Sequence, residues 1–261
     1  MNTTNNQPNN QRIVPLQGAR NFCDLGGYDA ADGRRVKWGM IFRSGSLAGL
    51  CQADWQTLMT RGVRALCDFR TTHEREHEPF VWKDTPGLAY YARDYATSFG
   101  DLRRVMTDDL PTGEAARAAM MSGYRELPFE QSAAYRRLFL HLASNEIPLI
   151  FNCAAGKDRA GTAAALVLSA LGVKRETVIA DYVLTNEANL SSVLTGNSGK
   201  ASMLSRRPPE VVSAILDADP RYIETALDSI HERHGSIEGY LRDVLNINDK
   251  DLLAIRSNLL E

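Results

Sequence analysis

The chain has 261 residues, 44% hydrophobic and 24% charged, with a formal net charge of −2 and a pI near 6.2. That apolar content can bury one sizeable core, and the near-neutral charge excludes the basic footprint of a nucleic-acid binder. Four cysteines without C-x-x-C spacing exclude a disulfide framework and point to free thiols in a reducing compartment.

Residues 1–11 are polar, carry no apolar segment of a secretory signal, and read as a disordered tail before a single domain over 12–261. A strand is predicted over 36–42, a helix over 52–60 stopped by Gly62, and a buried strand over 63–69. The charged run 71–78 reads as a surface helix, on which His73 and His77 are a chance i, i+4 pair rather than metal ligands. A strand over 89–95 follows, then helices over 113–127 and 129–144, the second with Tyr135, Leu138, Phe139 and Leu142 on one stripe. The apolar run 147–152 is the last strand. The remainder is mostly helical, over 175–192, 209–217, 221–234, 236–245 and 249–260. It is interrupted at 194–205 by a small, polar loop that reads either as a lid or as a plain surface connection. The longest apolar stretch, 163–173, is too short to span a bilayer. Basic pairs at Arg34-Arg35, Arg103-Arg104, Arg136-Arg137 and Arg206-Arg207 read as solvated faces. Strands separated by helices imply an α/β fold. The expected form is a mainly parallel central sheet with helices on both faces, a helical C-terminal part, and chemistry at the carboxyl ends of the strands.

The chemistry concentrates where strand 147–152 ends, in Cys153-Ala154-Ala155-Gly156-Lys157-Asp158-Arg159-Ala160-Gly161-Thr162. A strand, a small-residue loop and a helix N-terminus make an anion cradle, because backbone N–H groups converge where the helix dipole is positive. A cysteine there is expected to have a lowered pKa, and an arginine six positions on offers a planar fork for phosphoryl oxygens. The set reads as covalent phosphate-ester hydrolysis. The alternative for Cys153 is a buried structural thiol at a strand end.

Residues 153–159 resemble the signature loop of the bacterial tyrosine-phosphatase family, His-Cys-x-x-Gly-Lys-Asp-Arg-Thr-Gly. Asn21-Phe22-Cys23-Asp24-Leu25-Gly26-Gly27 is similar to that family's Asn-Phe-Arg-Asp-Leu-Gly-Gly element. Ile41-Phe42-Arg43-Ser44 resembles its Phe-Arg-Ser segment, and Asp68-Phe69-Arg70-Thr71 followed by Glu74 its Asp-Leu-Arg-x-x-x-Glu run. The matches keep family order from residue 20 to about residue 165. The resemblance implies a cofactor-free, metal-free phosphatase fold acting on phosphotyrosine, often also on phosphoserine, phosphothreonine and phosphoinositides. It implies Cys153 as nucleophile and Arg159 as phosphate binder. The loop positions Ala154, Ala155, Gly156, Lys157, Ala160 and Gly161 face the substrate, and Asn152, Arg43, Asp68, Arg70 and Glu74 support them. It also implies Asp158 as general acid, ahead of Asp84 in the loosely Trp-Pro-Asp-like Trp82-Lys83-Asp84 and of Asp68. Lys157 is either a second charge for multiply phosphorylated head groups or a solvent-facing lysine.

Two positions depart from the family. Asn152 stands where histidine is usual, and Ala160 where a hydroxyl residue is usual, with Thr162 two positions on. Slower turnover is expected. The second reading is a pseudophosphatase that binds phosphorylated ligands, and the third a rhodanese-like sulfurtransferase. A cytoplasmic location is expected, and the resemblance leaves open export without a signal peptide.

Overall fold

Three runs of four residues, each buried at every position, form the centre of a sheet, as strands covered on both faces must. They are β2 (Ile41–Ser44), β3 (Ala65–Asp68) and β5 (Leu149–Asn152), with β1 (Cys23–Asp24) and the partly exposed β4 (Ala89–Ala92) at the edges. The structure, a computed structural model, describes residues 11–96, 110–188, 204 and 206–261. The expected tail (all but Gln11), the pair Arg103-Arg104 and all of loop 194–205 except Leu204 lie outside the described residues.

The strand order is β1-β2-β5-β3-β4, with β1 antiparallel to β2 and every other pairing parallel. Strand β5 therefore sits between β2 and β3, and the register aligns Ser44, Asn152 and Asp68 in one row at the carboxyl ends. Side chains alternate between the two faces. Ile41, Ala65, Cys67, Leu149 and Phe151 enter the larger core, and Phe42, Leu66 and Ile150 the smaller one.

The smaller core is closed by Trp55 and Leu58 of α1 (Gln52–Thr60), by Phe80, and by Trp82, whose ring stacks on Trp55 at 5.5 Å. A short α2 (Thr72–His77) starts on a capping box, in which Thr71 Oγ1 accepts from the Glu74 N–H and Glu74 Oε2 from the Thr71 N–H. The larger core is covered by α3 (Gly113–Glu130), α4 (Ser132–Ala143), α5 (Arg159–Ala170), α6 (Arg175–Val183), α7 (Pro209–Leu216), α8 (Pro220–His234), α9 (Ile237–Asp243) and α10 (Asp249–Leu259). Helix α8 shows how the sequence sets its ends. Asp219 caps it, Pro220 fills a first-turn site that needs no N–H, and Gly235 closes it at φ 73°. Among the described residues no helix is long and apolar enough to cross a membrane.

Several predicted elements have different bounds in the structure. The strand expected from residue 36 begins at Ile41, because Gly39 adopts φ 75° in a turn and Val36 makes only an isolated bridge to Leu260. Helix α3 runs through Pro128 to Glu130, since a proline in the last turn removes only one ladder bond, and α4 then begins at Ser132 rather than at 129. Helix α6 ends at Val183 and tightens into a 3-10 turn, Leu184–Ala188, short of the expected 192.

Candidate active site

Strand β5 delivers Cys153 to the N-terminus of α5 through a loop that only glycine can complete at position 156. Gly156 has φ 76°, and a Cβ there would stand 2.7 Å from the Gly45 N and 2.8 Å from Asn21 Nδ2. The loop is thereby pressed against the chain that leaves β2. The turn brings the Gly156 N–H to Cys153 Sγ at 3.3 Å, and the Ala160 N–H also donates to that sulfur. Burial pushes the Cys153 thiol up, and the Arg159 guanidinium and these two N–H groups offset that only in part. The lowered thiol expected from the sequence is thus corrected. Cys153 is 1% exposed, and removing the thiolate from water outweighs its donors.

Arg159 is fixed from several directions. Its Nη1 donates to Glu74 Oε2 at 2.7 Å and to the Phe69 carbonyl at 2.9 Å, and its Nη2 donates to Glu74 Oε1 at 2.9 Å. Tyr95 Oη lies 3.4 Å from Nη1, and the Tyr135 hydroxyl donates to the Arg159 carbonyl at 2.8 Å. Glu74 caps α2 with the carboxylate that grips the arginine, so one side chain ties the 71–77 segment to the signature loop.

Asp158 occupies the N-cap of α5 and is buried, with Oδ1 accepting from the Tyr124 hydroxyl at 2.8 Å. Tyr124 and Tyr182 share a further hydrogen bond of 2.7 Å between their hydroxyls. Lys157 does not face solvent. Its ammonium donates to the Ile215 carbonyl at 2.5 Å and to the Asp217 carbonyl at 3.4 Å, and lies 3.4 Å from Asp158 Oδ1. Asp84, by contrast, is exposed in a turn beside the smaller core. Gly161 lies inside α5, where a Cβ would stand 3.0 Å from the Tyr182 ring. Its place lets α5 close on that tyrosine, and only its backbone belongs to the cradle. Ala154 and Ala155 form the outer arc of the loop. Their carbonyls accept from the Ser46 N–H at 2.9 Å and from Asn21 Nδ2 at 3.4 Å.

The supporting residues form two brackets. On one side Asn152 Nδ2 donates to Asp68 Oδ1 at 3.3 Å, as the strand register requires. Asp68 also receives the Arg70 fork, Nη2 at 2.7 Å and Nε at 2.9 Å, and the Tyr90 hydroxyl at 3.0 Å. On the other side Arg43 Nη1 donates to the Gly156 carbonyl and to Thr185 Oγ1, each at 2.9 Å, with Asp181 Oδ2 3.9 Å from Nη2. Each buried cation therefore faces a carboxylate: Arg43 with Asp181, Arg70 with Asp68, Lys157 with Asp158, and Arg159 with Glu74. With these charges matched, the donors for an anion are the loop amides at the positive end of α5 and the Arg159 guanidinium, which Glu74 holds in place.

Sequence reasoning missed Asn21, Tyr124, Tyr182, Asp181 and Thr185. Asn21 carried a signal, since it opens the Asn-Phe-x-Asp motif, and its φ of 51° marks a position suited to asparagine. The tyrosines carried none, because they reach the loop only through helix packing. Among the described residues no group of three or more His, Cys, Asp or Glu is placed to hold a metal ion.

Comparison with known proteins gives a consistent picture. Residues 14–261 match the model of the tyrosine phosphatase family. A protein of Cupriavidus necator provisionally named a tyrosine-protein phosphatase is 32% identical over 249 residues, covering 92% of this chain and 85% of that one. The triple specificity protein phosphatase PtpB of Mycobacterium tuberculosis is 31% identical over 272 residues, covering 88% and 93%. A tyrosine-protein phosphatase of Nostoc commune is 23% identical over 223 residues, covering 83% and 73%.

Proposed function

Because the chain belongs to the tyrosine phosphatase family, we propose that it hydrolyses phosphate monoesters through a cysteinyl-phosphate, with phosphotyrosine as the first substrate class. Cys153, as the thiolate, attacks phosphorus. The bond to the ester oxygen breaks, and that oxygen takes a proton from the Asp158 carboxyl. Water then attacks phosphorus, passes its proton to the Asp158 carboxylate, and the sulfur leaves. The loop amides and Arg159 hold the phosphoryl oxygens, and most of the acceleration comes from donors fixed before substrate arrives.

The observation that carries this reading is the meeting of three groups at the start of α5. A sulfur receives the Gly156 and Ala160 amides, an arginine is clamped by Glu74, and a buried carboxyl is held by Tyr124. The assay is phosphate release from p-nitrophenyl phosphate, a phosphotyrosine peptide and phosphoinositide vesicles, with Cys153→Ser alongside. Turnover of the peptide that disappears in Cys153→Ser is expected. Turnover that survives in Cys153→Ser would sink the covalent route.

A wider range, to phosphoserine, phosphothreonine and phosphoinositides, is proposed from the family resemblance, and the words triple specificity in the name of the M. tuberculosis relative accord with a broad range. Lys157 supports the inositol-lipid part least, because its ammonium is engaged by backbone carbonyls. A binding module without turnover is the second reading, and Ala160 favours it. Retained vanadate binding without phosphate release would establish that reading instead.

A further inference from the structure

We propose that Tyr124, backed by Tyr182, is a positioning residue for the acid: it fixes one carboxyl oxygen of Asp158 and leaves the other to carry the proton. This rests on the reading of Asp158 as general acid given above.

The direction of the hydrogen bonds follows from counting protons. A tyrosine hydroxyl has one proton, and that of Tyr124 goes to Asp158 Oδ1 at 2.8 Å. The 2.7 Å bond between the two hydroxyls must then be donated by Tyr182 and accepted by the Tyr124 oxygen. The chain runs one way, Tyr182 to Tyr124 to Asp158. It keeps that direction whether the aspartate is ionised or carries a proton on its other oxygen. Oδ1 also has the Lys157 ammonium at 3.4 Å, whereas Oδ2 has no hydrogen-bond partner among the described residues. A carboxylic acid keeps its proton on the oxygen with fewer donors, so Oδ2 is the acid oxygen.

Packing holds the relay still. Tyr124 on α3 is 0% exposed and Tyr182 at the end of α6 is 1% exposed. The Tyr124 ring lies 5.4 Å from that of Tyr222, and Gly161 gives the Tyr182 ring its room against α5. Burial raises both phenols well above their usual range, so each remains a hydroxyl while Asp158 changes charge. Tyrosine to phenylalanine preserves the ring packing and removes only the relay.

The test is kcat/KM, which reports the first displacement whatever the rate of breakdown, across aryl phosphates from p-nitrophenyl phosphate, whose leaving group needs little protonation, to phenyl phosphate, which depends on it. For Tyr124→Phe a loss of roughly tenfold on phenyl phosphate is expected, with less than about a twofold loss on p-nitrophenyl phosphate. Tyr182→Phe should move the same ratio in the same direction by a smaller factor, and serves if Tyr124→Phe fails to fold. Tyr124→Phe combined with Asp158→Asn should add no loss to Asp158→Asn alone. Equal slowing of both esters by the tyrosine variants would make the pair merely structural and overturn the inference, and so would no slowing of either. If Asp158→Asn itself showed no dependence on the leaving group, the acid assignment would fall first. If it showed that dependence and neither tyrosine variant did, only the relay would fall.

Discussion

Glu74 is the most informative residue to perturb, because the geometry gives it two duties that a single substitution separates. Its carboxylate accepts both Arg159 bonds, at 2.7 and 2.9 Å, and also the Thr71 N–H at 2.8 Å. Glu74→Gln keeps one carbonyl oxygen for the cap and for one arginine bond, but turns an NH2 toward a guanidinium that also only donates. One charge-assisted bond is lost and another keeps only a neutral acceptor, which is about 2–5 kcal/mol at roughly 1.5–3 kcal/mol per ion-pair bond and about 1 for the weakened one. That is close to the 3–5 kcal/mol or so found when a buried ion pair loses one partner. If half of it appears as a misplaced Arg159, kcat/KM falls about 5- to 60-fold, at about 1.4 kcal/mol per tenfold. The remainder appears as lost stability. The assay pairs kcat/KM on p-nitrophenyl phosphate with orthovanadate inhibition and urea unfolding. Vanadate should weaken together with kcat/KM, because both depend on the arginine. A folded Glu74→Gln protein whose kcat/KM and vanadate inhibition stayed within about twofold of the parent would refute the clamp.

Two further outcomes follow from the pKa shifts. Arg159 is the largest influence drawing the Cys153 thiol down against burial, so Arg159→Met should move the pH midpoint of iodoacetamide labelling upward. An unchanged or lower midpoint would show that the loop amides alone set the thiol. Asp54 is buried, which pushes its carboxyl up, but the N–H groups of Gln17, Gly18 and Cys51 together hold it below the ordinary range. A carboxyl lowered on folding stabilises the native state above its unfolded pKa of about 3.9, and that contribution is lost as the pH falls through the folded value. Asp54→Asn should therefore cost about 1–3 kcal/mol in urea unfolding at neutral pH, with the difference shrinking in acid. A pH-independent difference would place the effect in packing.

What the sequence displayed was whatever depends on local order. The run into Cys153 reads as strand, loop and helix because a continuous apolar run, Gly156 and an alanine-rich stretch each act within a few residues. Glu74 was legible only through the resemblance to the Asp-Leu-Arg-x-x-x-Glu run, and its grip on Arg159, 85 positions away in the chain, was not. The burial of Lys157 was not legible, because the carbonyls that hold it come from the end of α7. Strand β1 escaped notice for a different reason: two residues carry no periodicity, and only pairing with Arg43 and Phe42 makes them a strand.

The two departures from the family pattern have different weights once their surroundings are known. Asn152 keeps a donor directed at Asp68, the acceptor shared by the Arg70 fork and the Tyr90 hydroxyl, so the bracket behind the loop stays closed without a histidine. Its own Oδ1 is buried without a hydrogen-bond partner among the described residues, which is the local cost of the exchange. Ala160 is the heavier change. Its N–H still reaches the sulfur, but the hydroxyl is gone, and Thr162 does not replace it, since its Oγ1 is likewise buried without a partner among the described residues. Among the described residues the sulfur thus keeps its amide donors and has no hydroxyl donor. In a two-step displacement a missing donor matters most where sulfur must leave phosphorus with developing negative charge. On the proposed covalent route Ala160 therefore bears on the breakdown of the cysteinyl-phosphate, whereas Asn152 bears on the rigidity of the loop before any substrate binds.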